Sequence, residues 1–454
     1  MKRYEFYKES HHDFGEIPVN WNTTKLKFIA SEDKNSFVDG PFGSDLKNEE
    51  YVESGIPVIQ LNSIKEGKLR LNNFKYVSDE KASSLFRHTA FPGDLVIAKM
   101  AAPIARSAVV PATFEKYIIV ADCIKLKTKE HQNVSFINYV MNTPFIVAQA
   151  ERFSNGTTRS RVNLGIIKNL VIPLPSYEEQ LEIVKFLDYK IQKIDQLIES
   201  VQKKVDLLEQ QRQSIITEAV TKGLNPNVKM KDSGVEWIGD IPEHWKFTRL
   251  DFISRVKARL GWKGLKAEEY VEDGYAFLAT PNLKERNIDF KNVNYITEER
   301  YLESPEIMLE VGDVLLAKDG STLGIVNVVR SLPKNATVNS SIAVIRPTGK
   351  IDSVYFYYYL KSTYIQDVIN QIKDGMGVPH LFQADIKKFK ILLPPMDEQV
   401  VIAKYLDEET LILEQLVGKV KKQIEKLKEY RQSLIYEAVT GKIDVRDMEL
   451  DEVR

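Results

Sequence analysis

SYEEQLEIVKFLDYKIQKIDQLIESVQKKVDLLEQQRQSIITEAVTKG, residues 176–223, decides how the 454-residue chain is read. It holds no Pro and no internal Gly. Val184, Ile191, Ile198 and Val205 fall every seventh residue, and Leu187, Ile194, Val201, Leu208 and Ile215 follow three places later. An apolar pair repeated over more than four heptads, with Lys, Glu, Gln and Asp elsewhere, predicts a left-handed coiled coil. Ser176 followed by Glu179 has the spacing of a capping box, and Gly223 with Pro226 marks the end. At ~1.5 Å per residue the helix would be about 65 Å long.

Such a helix needs a partner for its apolar stripe, and a second copy lies downstream. In 396–441, Leu406, Leu413, Val420, Leu427 and Leu434 take one seam position; Ala403, Thr410, Val417 and Ile424 fill the other less regularly. Both helices end in related strings, RQSIITEAVT and RQSLIYEAVT, with Arg212 and Arg431 at the seam. Two copies on one chain favour intramolecular pairing over homodimers through high effective concentration. The globular stretch between them lets the chain return, so antiparallel pairing is expected.

The remainder is also written twice. FGEIPVNWNTTKLKFIA (14–30) matches IGDIPEHWKFTRLDFIS (238–254), which aligns Trp21 with Trp245. EEYVESG (49–55) matches EEYVEDG (268–274), GDLVIAK (93–99) matches GDVLLAK (312–318), and the stretch 155–180 matches 374–399, all three at one shared offset. A single gap between Ala30 and Glu49 reconciles that offset with the alignment of the tryptophans. Four segments result: a head over 1–175, a long helix over 176–223, a second head over 224–394, and a second helix with a tail over 395–454. Each head reads as mixed α and β. GIPVIQL, LVIAKM, YAFLAT and DVLLAK are strand-like. Residues 134–152 and 354–372 carry helical periodicity, and KNLVIPLP and KFKILLPP read as closing edge strands. The fold class is therefore α+β: two pseudo-repeated heads separated by two long helices that form an intramolecular antiparallel coiled coil with pseudo-two-fold symmetry.

Composition narrows the function classes. Hydrophobic residues make up 43% and charged residues 28%, as in ordinary globular proteins. The net charge of −1 alone argues neither way, but Lys+Arg against Asp+Glu stand at 20 to 16 over residues 14–176 and 21 to 21 over 236–395, so neither head is a basic domain and any DNA contact rests on locally clustered cations. A single cysteine, Cys123, precludes an intrachain disulfide and fits a reducing cytoplasm. The start, MKRYEFYKESHHDF, lacks the apolar core of a signal peptide, and no run of about 18 apolar residues suggests a membrane span. The six histidines form no HExxH or i,i+4 pair, so no metal site is expected. Glu66-Gly67-Lys68 resembles a nuclease element but is not repeated in the second head. Asn142-Thr143-Pro144-Phe145 lacks the second proline of an adenine methyltransferase motif, and no P-loop string occurs. No catalytic residues are assigned. The repeated Asp94 and Asp313 read as Gly-Asp turns entering a strand.

Polar loops remain as candidate DNA contacts. DGPFGSDLK places Ser44 and Lys47 where a Gly-rich backbone could approach phosphate, and its counterpart ARLGWKGLK carries Arg259, Lys263 and Lys266. Asn62 and Lys65 leave one strand; Asn282, Lys284 and Arg286 leave its twin. After the Gly-Asp strands come KMAAPIAR, with Lys99 and Arg106, and KDGSTLG, with Lys318, Ser321 and Thr322. Before the last strand come NGTTRSR, with Thr157, Arg159 and Arg161, and DGMGVPH, with His380. Such side chains read base edges and clamp phosphates. These loops diverge while the framework around them repeats, which suits two heads reading different sequences. Stiff spacing between heads also suits duplex DNA, whose equivalent groove surfaces recur about once per helical turn, ~34 Å.

Over essentially its whole length the chain resembles the specificity subunits of type I restriction–modification systems. DGPFGSDLK, the paired Gly-Asp strands, PLPSYEEQLEIVKFLD with PPMDEQVVIAKYLD, and the RQS…EAVT endings carry the resemblance. It implies that the heads are target recognition domains, each reading one half of a bipartite, asymmetric site in double-stranded DNA. It also implies that the long helices set the spacer and dock two modification subunits. Those would carry S-adenosylmethionine for adenine-N6 methylation, and restriction subunits would bring ATP and Mg; this chain would bind no cofactor. A bacterial or archaeal cytoplasm is the implied location. The alternative from another class is a coiled-coil scaffold with two protein-binding heads.

Overall fold

The structure, a computed structural model, describes residues 2–43, 45–154, 161–236, 238–259, 265, 267–374, 380–446 and 448. The chain forms two compact units that cut across the four sequence segments: residues 1–201 with 423–454, and residues 202–422. Each unit thus combines one head with part of both long helices. These helices run Tyr177–Lys222 and Met396–Val439.

In the first unit, four antiparallel strands lie in the order Phe37–Asp39, Cys123–Leu126, Leu95–Ala98, Ser107–Val109. All four residues of Leu95–Ala98 are buried, because the sheet is covered on both faces. Leu95 and Ile97 face the cluster containing Phe136, Val140, Leu187 and Leu434. Val96 and Ala98 face a second cluster with Ile59 and Tyr117. That cluster includes a sheet ordered Lys75–Val77, Ile56–Ile59, Tyr117–Ile119, Thr89–Ala90, whose two central strands are parallel. Asn22–Lys25 pairs with Val171–Leu174, and a short hairpin joins Tyr7–Lys8 to Ile17–Pro18.

The second unit repeats the plan. Its four-stranded sheet runs Ser254–Lys257, Ile342–Pro347, Val314–Ala317, Val326–Val328. Tyr275–Leu278 lies parallel to Ala336–Val338, Lys246–Arg249 pairs with Lys390–Leu393, and Met230–Asp232 pairs with Asp240–Pro242. The Gly-Asp turns match in their bonding: Asp94 accepts from the Phe91 N–H at 2.9 Å and Asp313 from the Glu310 N–H at 2.8 Å.

The expected single helices over 134–152 and 354–372 are each two helices. Val134–Met141 stops before Thr143, and Pro144–Arg152 starts with proline at its first position, where the missing N–H costs nothing. Ser353–Lys361 and Thr363–Asp374 are separated by Ser362 in an extended conformation.

Helix pairing is visible within each unit. In the second, Lys421 meets Glu209 at 3.1 Å and Arg212 meets Glu414 at 3.6 Å, so the helices run antiparallel. In the first, Arg431 meets Asp195 at 2.9 Å, the same pairing shifted by the repeat. Leu187, Ile194, Leu406, Leu413, Val420 and Leu434 are buried; Val201, Leu208, Ile215 and Leu427 are partly buried. The second seam is less irregular than its letters suggest. Ala403 is buried, and Thr410 is buried because its hydroxyl donates to the Leu406 carbonyl and contacts the Tyr358 hydroxyl at 2.9 Å.

The helix starts are locked to the heads by a repeated glutamine. Gln180 accepts from the Asn133 N–H at 2.9 Å and donates to the Pro175 carbonyl at 3.1 Å. Gln399 accepts from the Asp352 N–H and donates to the Pro394 carbonyl, both at 2.8 Å. That bond fixes the second helix where no capping serine precedes it.

Candidate nucleic-acid interface

In the first unit the candidate loops gather around Lys99. Its N–H bonds the Asp122 carbonyl, its carbonyl receives the Val162 N–H, and its ammonium lies 3.5 Å from Asp39. Asp122 in turn pairs with the exposed Arg161 at 2.7 Å, and Met100 bridges to Arg161. His88 contacts the Asp39 carbonyl at 2.7 Å, and burial holds its imidazole below the ordinary value. Asn62, Lys65 and Lys47 are exposed. Lys99 itself is buried with its ammonium against Asp39, so the candidate donors left exposed among the described residues of this unit are those of Arg161, Asn62, Lys65 and Lys47.

The second unit builds the same frame with other side chains. Lys318 donates its N–H to Ser341 and receives Leu381; Asp319 bridges to His380 as Met100 does to Arg161. Lys318 lies 3.0 Å from Asp319, and His380 bonds the same carboxylate. Burial pushes Asp319 upward, but the bonds from Lys318 and His380 outweigh it and hold the carboxyl below its usual range. Thr322 donates to the Asp319 carbonyl at 3.1 Å; Ser321 and Lys284 are exposed.

Four sequence candidates are structural rather than available to a ligand. Arg106 is buried, and its guanidinium donates to the carbonyls of Leu61, Ile64, Met100, Ala101 and Pro103 at 2.8–3.1 Å. Asn282 is buried, accepting from the Ala279 N–H and donating to the Asp289 and Asn292 carbonyls. Arg286 holds the second long helix through Asp407 and Thr410, at 2.8–2.9 Å. Arg259 has a buried side chain 3.7 Å from Glu303. Their residue types suit DNA, but the polar groups of Arg106, Asn282 and Arg286 are spent inside the fold, while Nε and Nη2 of Arg259 are buried without a hydrogen-bond partner among the described residues. Ser44, Thr157, Arg159, Lys263 and Lys266 lie outside the described residues.

Sequence reasoning missed the residues that tie heads to helices. Tyr139 donates to Asp188 and Tyr358 to Asp407, each at 2.7 Å, and Asp407 also receives Arg286 and Arg330. The repeated strings KFLD and KYLD were the available signal. Glu398 accepts from the Trp245 indole at 2.9 Å and contacts His244 at 2.6 Å, while Glu179 accepts from the Tyr4 hydroxyl at 2.5 Å.

Other chemistry finds no support in these positions. His11, His12 and Asp13 bring potential ligand atoms within 4.8 Å of one another, but Arg152 already bonds His12 and Asp13 where a cation would sit. Cys123 is buried, which pushes its thiol up to about 12, so it is a packing residue. Among the described residues no helix is long and apolar enough to cross a membrane.

A duplicated α/β head, each copy carrying unlike polar loops on one backbone frame and bound to paired long helices, defines a two-headed recognition protein. The pattern of the type I restriction modification DNA specificity domain matches residues 18–207 and 242–426, and the chain belongs to that family. As a specificity subunit it is a DNA target-recognition component, not a catalytic one. It is similar to the type I restriction enzyme MjaVIII specificity subunit of Methanocaldococcus jannaschii, 24% identical over 98% of both chains. The MjaIX specificity subunit of the same organism is 24% identical over 97% of both. A chain from a structure described as the basis of complex assembly and conformational transition of the type I R-M system shares the fold, with a TM-score of 0.70 at 17% identity. That match covers 94% of this chain and 99% of the other.

Proposed function

We propose that each head reads one half of a bipartite, asymmetric site in double-stranded DNA, and that the continuous helices set the unread spacer between halves. The observation that carries this reading is one backbone frame bearing two loop sets. Lys99 and Lys318 make the same main-chain bonds, yet Met100-Ala101-Ala102-Pro103 follows one and Asp319-Gly320-Ser321-Thr322 the other. Shared scaffolding with divergent tips is what reading unlike half-sites requires.

The helices would dock two modification subunits. Exposed apolar side chains recur at equivalent places on them, Leu181 with Val400 and Leu197 with Leu416, which suits two copies of one partner. Those partners would hold S-adenosylmethionine and place methyl groups on adenine N6; restriction subunits would add ATP- and Mg-dependent cleavage. The complex would work in the cytoplasm, on chromosomal and invading DNA. Mapping methylated adenines in source-cell DNA with and without this gene tests the reading. Loss of one bipartite motif is the expected result. An unchanged methylation map, with heads that capture protein and show no salt-dependent hold on duplex DNA, would favour a protein scaffold instead.

A further inference from the structure

The loop between strands Leu95–Ala98 and Ser107–Val109 contains a substitution that folding alone does not account for. Ala101 and Ala105 adopt left-handed backbone conformations, with φ of 64° and 61°. The equivalent positions in the second unit are Gly320 and Gly324, with φ of 63° and 92°. Glycine occupies that region freely, whereas a Cβ there is strained. Ala105 has a packing reason for its methyl: it is fully buried in the core with Phe136 and Val140. Ala101 has none, for it is exposed, as is Ala102 beside it.

The loop is held firmly and turned polar side inward. Arg106 takes the carbonyls of Met100, Ala101 and Pro103, and clamps them to those of Leu61 and Ile64, the turn bearing Asn62 and Lys65. In the second unit Asn327 donates to the carbonyls of Leu283 and Glu285, in the turn corresponding to that of Ile64. With the three loop carbonyls consumed, the exposed side chains at the tip are the methyl groups of Ala101 and Ala102. Apolar side chains read DNA by packing on the C5-methyl of thymine in the major groove. The twin loop offers the Ser321 hydroxyl at its tip instead.

We propose that Ala101, with Ala102, is a specificity determinant that recognises a thymine methyl in the half-site read by the first head, and that Arg106 is the positioning residue that presents it. This rests on the DNA-reading function proposed above. The second head, with glycine and serine at the same place, would not share that requirement at this loop.

The test uses the full chain with its modification subunits and duplexes carrying the mapped target. Each thymine of the first head's half-site is replaced singly by deoxyuridine, which removes only the methyl. The unaltered complex should lose affinity on the order of fourfold at one position, the worth of one methyl withdrawn from water. Ala101→Gly should erase that sensitivity while leaving the melting temperature unchanged or raised, since it relieves strain. Because the two changes remove the same contact, their effects should be non-additive in a double-mutant cycle. Arg106→Lys, should it fold, should weaken the same discrimination; Ala101→Gly keeps the test decisive if it does not. A half-site without a sensitive thymine, or a deoxyuridine penalty that persists in Ala101→Gly, overturns the proposal while leaving the DNA-reading function intact. Absence of any sequence preference in the unaltered complex would instead overturn that function itself.

Discussion

Replacing Gln399 with alanine should uncouple the second long helix from its head. The side chain is 1% exposed and makes two bonds of 2.8 Å, accepting from the Asp352 N–H and donating to the Pro394 carbonyl. Water cannot readily replace a partner this deep, and each orphaned group costs about 1–3 kcal/mol. The pair therefore sets a loss of about 2–6 kcal/mol. Gln399→Met preserves most of the volume, so the loss that survives in it isolates the polar contribution from the cavity. Urea unfolding followed by circular dichroism and tryptophan fluorescence reads the change, with Trp245 bonded to the adjacent Glu398 as a local reporter. Gln180→Ala, with its equivalent bonds to Asn133 and Pro175, should behave alike. Losses below about 1 kcal/mol in both alanine variants would refute the claim that these glutamines fasten helix to head.

Other expectations concern the repeated framework. Gly441→Ala should destabilise more than Gly223→Ala in thermal melts: both have positive φ, but the added Cβ would lie 2.4 Å from the Pro18 ring in one case and 3.1 Å from Trp245 in the other. Asp313→Ala should cost about 3 kcal/mol or more by removing both acceptors that hold Arg346, at 2.7 and 2.8 Å. Asp94 differs, because burial lifts its carboxyl above the ordinary 3.8, so the folded state binds the proton more readily than the unfolded chain. Stability from this group therefore rises as pH falls through the folded value toward 3.8, and pH-dependent denaturation of Asp94→Asn should lack that rise. Asp407→Ala should be costlier than Asp188→Ala in urea unfolding, since it strands Arg286 and Arg330 as well as Tyr358, whereas Tyr139 at Asp188 is near solvent.

The long helices were legible because a seam of heptad period cannot be mistaken for a strand, and the heads because one was spelled out twice. Helix breaks at Thr143 and Ser362 were not, since apolar periodicity runs through both interruptions. Thr410 looked like a flaw in the seam; its hydroxyl is instead satisfied by Leu406 and Tyr358. The candidate interface was harder to read. Arg106, Asn282 and Arg286 have the chemistry of DNA contacts, and nothing in their sequence neighbourhood tells whether a guanidinium or amide meets a base or a buried carbonyl. Arg161 and His380 show the opposite case: unlike residues at matched positions, brought to the same bridge by the repeated frame.

Exchange of residues 1–175 for the corresponding head of a relative, followed by mapping of methylated adenines in cells carrying the chimera, probes the account most directly. Independent reading by each head predicts that one half of the bipartite motif changes while the other half and the spacer length are retained. Alteration of both halves, or of neither, would contradict it.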